Sequence, residues 1–130
     1  MLSKTSTFVI NAMVELAKLP KNERKGAGSL AKKIKAPRNY LSKLLQSLAT
    51  RGFLSSKRGL NGGFQLNKNP NNIKLYEIVE PIDNVTLWSG CALGLKKCSD
   101  TNPCAVHDRW KVIKEAYIDF LENTTIADLI

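Results

Sequence analysis

Residues 37–67 read PRNYLSKLLQSLATRGFLSSKRGLNGGFQLN, and two different periods meet in that stretch. Tyr40, Leu41, Leu44, Leu45 and Leu48 recur at helical spacing, with Pro37 suited to the helix's first turn and Gly52 to its end. Residues 53–57 and 63–67 are short runs around Arg58, Gly59, Leu60, Asn61 and Gly62, whose Gly and Asn-Gly content favours a tight reversal with positive backbone angles. A helix that feeds directly into a β-hairpin predicts a winged helix.

Working outward toward the N-terminus, Ser29 is expected to cap a short helix containing Leu30, Ala31 and Ile34. Short helix, tight turn, longer helix is a helix-turn-helix pattern. A polar, basic turn covers 21–28. Before it, Phe8, Ala12, Leu16 and Leu19, widened by Val9, Met13 and Ala17, predict a largely buried helix over 5–19 that Pro20 stops. Toward the C-terminus, Leu75, Ile78, Val79 and Ile82 predict a helix that closes the core, and 83–103 read as irregular. From about Cys104 to residue 123 the helical period returns, with Val106, Trp110, Ile113, Tyr117 and Phe120 on one stripe and Ala105, Val112, Ala116 and Leu121 beside it. That is more apolar surface than one neighbour covers. The helix is expected to pack on its own domain with one face and on a second copy with the other, giving a homodimer that matches a palindromic operator.

The expected fold class is therefore mainly α with a small β-hairpin. Its parts are a winged helix-turn-helix DNA-binding domain over 1–82, a cysteine-bearing loop over 83–103, and a dimerisation helix with a C-terminal tail over 104–130.

Charge is divided along the same lines. The net charge is +9, but residues 1–74 hold 15 Lys and Arg against Glu15 and Glu23 alone, whereas 75–130 hold 5 against 9 acidic residues. The N-terminal part has the composition of a polyanion binder. On the long helix, Arg38, Asn39, Ser42, Lys43 and Gln46 lie away from the leucines, and hydroxyls, amides and cations are the groups that hydrogen-bond to base edges in a major groove. Lys57 and Arg58 lead into the hairpin tip, where narrow minor grooves attract arginine. Double-stranded DNA is the expected partner.

The other chemistry is concentrated in seventeen residues. Cys91, Cys98, Cys104 and His107 include every cysteine and the single histidine of the chain. Thiolates and imidazole are the ligands that soft or borderline metals and iron–sulfur clusters prefer. Three thiolates and an imidazole suit a [2Fe-2S] centre, favoured here over [4Fe-4S]. Two rivals use the same residues. Lys96 and Lys97 beside Cys98 would favour a reactive thiolate and so a thiol switch. A Cys3His zinc site fits the ligand set but lacks the usual close pairing of cysteines. An enzyme is not expected: Cys104 and His107 at helical spacing would merely share a face, and no phosphate loop or carboxylate pair accompanies them. With 130 residues and 43% apolar content there is one core and no room for a catalytic domain. An odd cysteine count and the lack of a membrane-length apolar run or a secretory leader point to the cytoplasm.

The order of elements resembles the Rrf2 family of winged-helix transcription regulators, whose members include an iron–sulfur cluster regulator and a nitric-oxide-sensing repressor. The resemblance runs through Phe8, Ala12 and Leu16, the helix from Pro37 to Leu48, the Gly52-Phe53-Leu54 exit and the Arg58-Gly59-x-x-Gly62-Gly63-Phe64 wing. It continues through Cys91, Cys98 and Cys104 to Thr125-Ile126-Ala127-Asp128-Leu129. It implies a DNA-binding dimer that senses iron–sulfur status, redox change or nitric oxide, with His107, placed after Cys104 as in the cluster regulator, as fourth ligand. There are three departures. Six residues separate Cys91 from Cys98 where those two relatives have five, the stretch 7–11 offers no carboxylate, and Ser42 stands where the cluster regulator has glutamate. A regulator without a cluster, working through a protein or metabolite partner, is the remaining alternative.

Overall fold

Hydrogen bonding around the hairpin sets the start of the helix-turn-helix. In the computed structural model, which describes residues 2–88, 90–93, 101 and 103–130, the first helix is α1 (Lys4–Ala17). Ser3 caps it, its Oγ accepting the Ser6 N–H at 3.1 Å, and Val9, Ala12, Met13 and Leu16 are buried. After α1 the chain turns back, and Lys25 bridges Phe64 in both directions (Lys25 N to Phe64 O 3.0 Å; Phe64 N to Lys25 O 2.8 Å). The second helix, α2 (Ala27–Ile34), therefore begins at once, with Gly26 at its N-cap and no side-chain cap. The expected cap, Ser29, lies inside the first turn instead. A long-range ladder has overridden a local preference.

Lys35 takes the left-handed conformation (φ 59°) at the end of α2, and Ala36 N donates to Ala31 O at 2.9 Å. Pro37 then leads into α3 (Arg38–Thr50) as its N-cap. Leu41, Leu45 and Leu48 are buried, and Leu44 is half-buried. Tyr40, expected on this stripe, is exposed. Its hydroxyl hydrogen-bonds Thr5 Oγ1 on α1, because one residue off the buried line a phenol can keep its polar tip partnered.

The wing is β1 (Leu54–Lys57) paired antiparallel with β2 (Gly63–Leu66), with Leu54 opposite Leu66 and Lys57 opposite Gly63. Leu54 and Phe64 point into the core. Gly63 has φ +118°, and a Cβ there would stand 2.7 Å from Lys25 backbone. A Cβ on Gly62 would collide with the Lys57 carbonyl oxygen. The double glycine therefore lets the hairpin close and dock.

A 3-10 turn at Pro70–Asn72 leads to α4 (Leu75–Asp83), whose Leu75, Ile78 and Val79 complete the core and whose Glu77 carboxylate accepts the Lys74 N–H at 3.0 Å. Pro81 cannot donate to the Glu77 carbonyl one turn back. Arg51, at the C-terminus of α3, donates Nη2 to that oxygen at 2.8 Å instead. The segment read as irregular contains a further helical turn, α5 (Val85–Trp88), seeded by the buried Val85 and by Glu80, which accepts the Thr86 N–H at 3.0 Å.

The last helix, α6 (His107–Asn123), starts three residues later than expected, leaving Cys104 in the preceding turn. Its stripes also differ. Tyr117 and Leu121 are buried, and α6 packs on α4, whereas Val112, Ile113 and Phe120 are exposed. The chain then returns to the core. Leu75 N donates to Thr124 O and Ile126 N to Ile73 O, each at 2.9 Å, and Ile126 is fully buried before a closing 3-10 turn at Ala127–Leu129.

Candidate nucleic-acid interface and cysteine–histidine site

Burying Leu41, Leu45 and Leu48 turns the opposite side of α3 outward. Arg38, Asn39, Lys43 and Gln46 are exposed there, and Ser42 is half-buried. Gly28 gives Arg38 its place: a Cβ at 28 would sit 3.1 Å from the Arg38 Nε, so the guanidinium lies across the first turn of α2. Lys57 and Arg58 are exposed on the wing. None of these cations has a carboxylate partner among the described residues, whereas Lys18, the C-cap of α1, lies 3.5 Å from Glu15. Unneutralised charge on α3 and the wing faces outward, as an anionic partner requires.

Sequence reasoning passed over two residues here. Leu60 is 93% exposed at the wing tip, which no periodicity marks. Arg24, one residue of a basic turn, instead donates to Ser55 and Gly63 of the hairpin. Only long-range geometry distinguishes it from its neighbours.

The second site lies at the start of α6. His107 is 5% exposed, and its backbone N–H donates to Cys104 O at 3.1 Å. One turn further on, Trp110 Nε1 donates to the Gly90 carbonyl at 2.6 Å, which ties the segment carrying Cys91 to the same end of the helix. Cys91 and Cys104 are half-buried, outside the apolar core. Half-buried thiols and a buried imidazole are a donor set that fits a soft or borderline centre. Among the described residues no three His, Cys, Asp or Glu side chains already converge on one point, and Cys98, like Lys96 and Lys97, lies outside the described residues. Further along α6, Leu2, Val112, Ile113, Ala116, Tyr117 and Phe120 line an open apolar groove of about 660 Å³.

The family model for Rrf2, iron-dependent transcriptional regulators, matches residues 2–130. The chain belongs to the Rrf2 family. It is 36% identical over 130 residues to a protein assigned as an HTH-type transcriptional regulator in Aquifex aeolicus, covering 98% of this chain and 90% of that one. It is 25% identical over 129 residues to the HTH-type transcriptional regulator IscR of Pectobacterium atrosepticum, covering 99% and 78%. The structure of CymR, the global cysteine regulator of Bacillus subtilis, superposes with a TM-score of 0.79 at 24% identity over 99% of this chain and 95% of that one, which shows the shared fold. As an Rrf2 protein the chain is a DNA-binding regulator of transcription and not an enzyme. No helix among the described residues is long and apolar enough to cross a membrane.

Proposed function

We propose that this Rrf2 regulator works in the cytoplasm as a homodimer, holds an iron–sulfur cluster through Cys91, Cys98, Cys104 and His107, and reads a two-fold operator with α3 and the wing. The observation that carries the reading is the Trp110–Gly90 hydrogen bond, which brings the Cys91 segment to the turn holding Cys104 and His107. When bound, a [2Fe-2S] cluster, preferred over [4Fe-4S], supplies a one-electron couple whose potential a nitrogen ligand raises.

The chain's own residues provide a route between the two sites. α6 carries His107 at its start and sets Tyr117 and Leu121 against α4. α4 is tied to the end of α3 by the Arg51–Glu77 hydrogen bond. A displacement of α6 therefore bears on the helix proposed to read bases. The groove along α6 supports a second copy as its occupant: it is apolar, and the twofold pairing it permits would set two α3 helices at a fixed spacing. On α3, Arg38, Asn39, Ser42, Lys43 and Gln46 are proposed to meet the major groove, and Lys57 and Arg58 the adjacent minor groove.

The test is purification without oxygen, followed by visible absorption, circular dichroism and iron and sulfide analysis of the protein and of Cys98→Ala and His107→Ala variants. A [2Fe-2S] spectrum that is lost in Cys98→Ala and shifted in His107→Ala is expected, with far-ultraviolet dichroism confirming that both variants fold. A colourless protein that takes up no iron on reconstitution would overturn the cluster and move sensing to thiol oxidation, zinc or a partner, leaving the DNA contacts standing.

A further inference from the structure

We infer that Arg24 is a positioning residue that sets the angle of the wing, so that Arg58 meets DNA only while Arg24 holds the base of the hairpin. The inference rests on the DNA reading of the wing proposed above.

Arg24 sits in the turn between α1 and α2, far from the hairpin in sequence. Its Nη1 donates to the Ser55 carbonyl of β1 at 3.0 Å and to the Gly63 carbonyl of β2 at 3.2 Å, and its Nη2 donates to Ser55 Oγ at 3.0 Å. One planar guanidinium thus spans both strands, which the single ammonium of lysine does not reproduce. The adjacent Lys25 adds two backbone bonds to Phe64, and the missing Cβ of Gly63 is what allows that approach. Beyond Lys57 and Gly63 the tip is held by its own turn, Gly62 N to Gly59 O at 2.9 Å. The direction in which Arg58 points relative to α3 is therefore inherited from the base, and Arg24 is the only side chain among the described residues that donates hydrogen bonds to both strands there. Arg24 has no carboxylate partner among the described residues, so two roles are open to its charge: holding the wing, or meeting a phosphate itself.

These roles separate in a double-mutant cycle on an operator selected from random-sequence duplexes, measured across a salt series. Arg24→Ala should lower preference for that operator over unrelated DNA by about tenfold, comparable to losing one base contact. In an Arg58→Ala background the same change should cost little more and leave the salt dependence alone. Arg24→Lys, which keeps the charge but not the fork, should behave as Arg24→Ala. Hydrogen exchange supplies a readout that does not depend on DNA: the Gly62, Gly63 and Phe64 amides should exchange faster in Arg24→Ala while those of α6 do not change. Equal losses in both backgrounds with a shallower salt slope, or recovery by Arg24→Lys, would make Arg24 a phosphate contact and overturn the inference. If Arg58→Ala binds the operator like the unmodified protein, the DNA reading of the wing falls. Exchange then decides the clamp alone, and unchanged exchange at the wing amides overturns it.

Discussion

The winged-helix part and α6 solve the same packing problem differently. In the first, α1 to α4 and the hairpin bury one another, and Arg24, Lys25 and Arg51 tie backbone groups of neighbouring elements together. In the second, one face of α6 is committed to α4 through Tyr117 and Leu121, while Val112, 69% exposed, lies with Ile113 and Phe120 on the open groove. The winged-helix part commits its apolar faces to one core and offers charge at its surface. α6 commits one face and offers apolar surface on the other, with the buried His107 at its start. Such a division suits the proposed arrangement, in which the DNA-facing part keeps its shape while α6 pairs with a second copy.

The sharpest way to break this contrast is to substitute leucine and phenylalanine on the two sides. Leu45→Ala should cost about 2–5 kcal/mol of folding stability, because it leaves a cavity in a closed core. Urea unfolding checks it, and a loss below that range would mean that the winged-helix core is looser than its burial implies. Phe120→Glu should leave the secondary structure intact but weaken self-association by roughly 2 kcal/mol or more, about thirtyfold in dissociation constant. Sedimentation equilibrium reads this directly, and an unchanged association constant would remove the groove from the proposed dimer interface.

Smaller effects sharpen the contrast within each part. Lys43→Ala should change base preference in the selected operator by about 1–3 kcal/mol if Lys43 reads a base, whereas uniform weakening on every duplex would make it a phosphate contact. In α6, burial and then the Asp83 carboxylate raise the Tyr117 phenol above its ordinary value of 10.0. Folded and unfolded chains both keep this proton below about pH 10, and above it the unfolded chain releases it first. The contribution is thus fully present below pH 10 and lost as pH rises through the folded value. Tyr117→Phe should accordingly flatten the fall in unfolding midpoint between about pH 9 and 11, a modest change that equal slopes would contradict.

The winged helix was legible because its signals are local and agree with one another. The leucine spacing of α3, the Gly52 exit and the Asn61-Gly62-Gly63 reversal each demand one conformation. Misreadings arose where a distant partner competes with local preference. Ser29 lost its capping role to the Lys25–Phe64 bridge, and Tyr40, exposed on α3, partners Thr5 on α1 instead of joining the core. In α6 the apolar residues are numerous enough to draw several stripes, and only packing on α4 chose the one through Tyr117 and Leu121. The cysteines and histidine were visible by composition, but the tie between the Cys91 segment and the start of α6 is made by the bond between Trp110 and a backbone carbonyl, which carries no sequence signature. Arg24 was invisible for a similar reason: its donors reach two strands that the sequence places thirty and more residues away.

Operator affinity measured at matched salt on cluster-loaded and cluster-free protein tests the proposed link between the two parts most directly. If the Cys91 to His107 segment governs α6, and α6 bears on α3 through α4 and Arg51, the two forms should differ in affinity for the selected operator while binding unrelated DNA alike. Equal affinity for the operator in both forms would contradict the account, leaving a DNA-binding wing and a cysteine–histidine site that do not communicate.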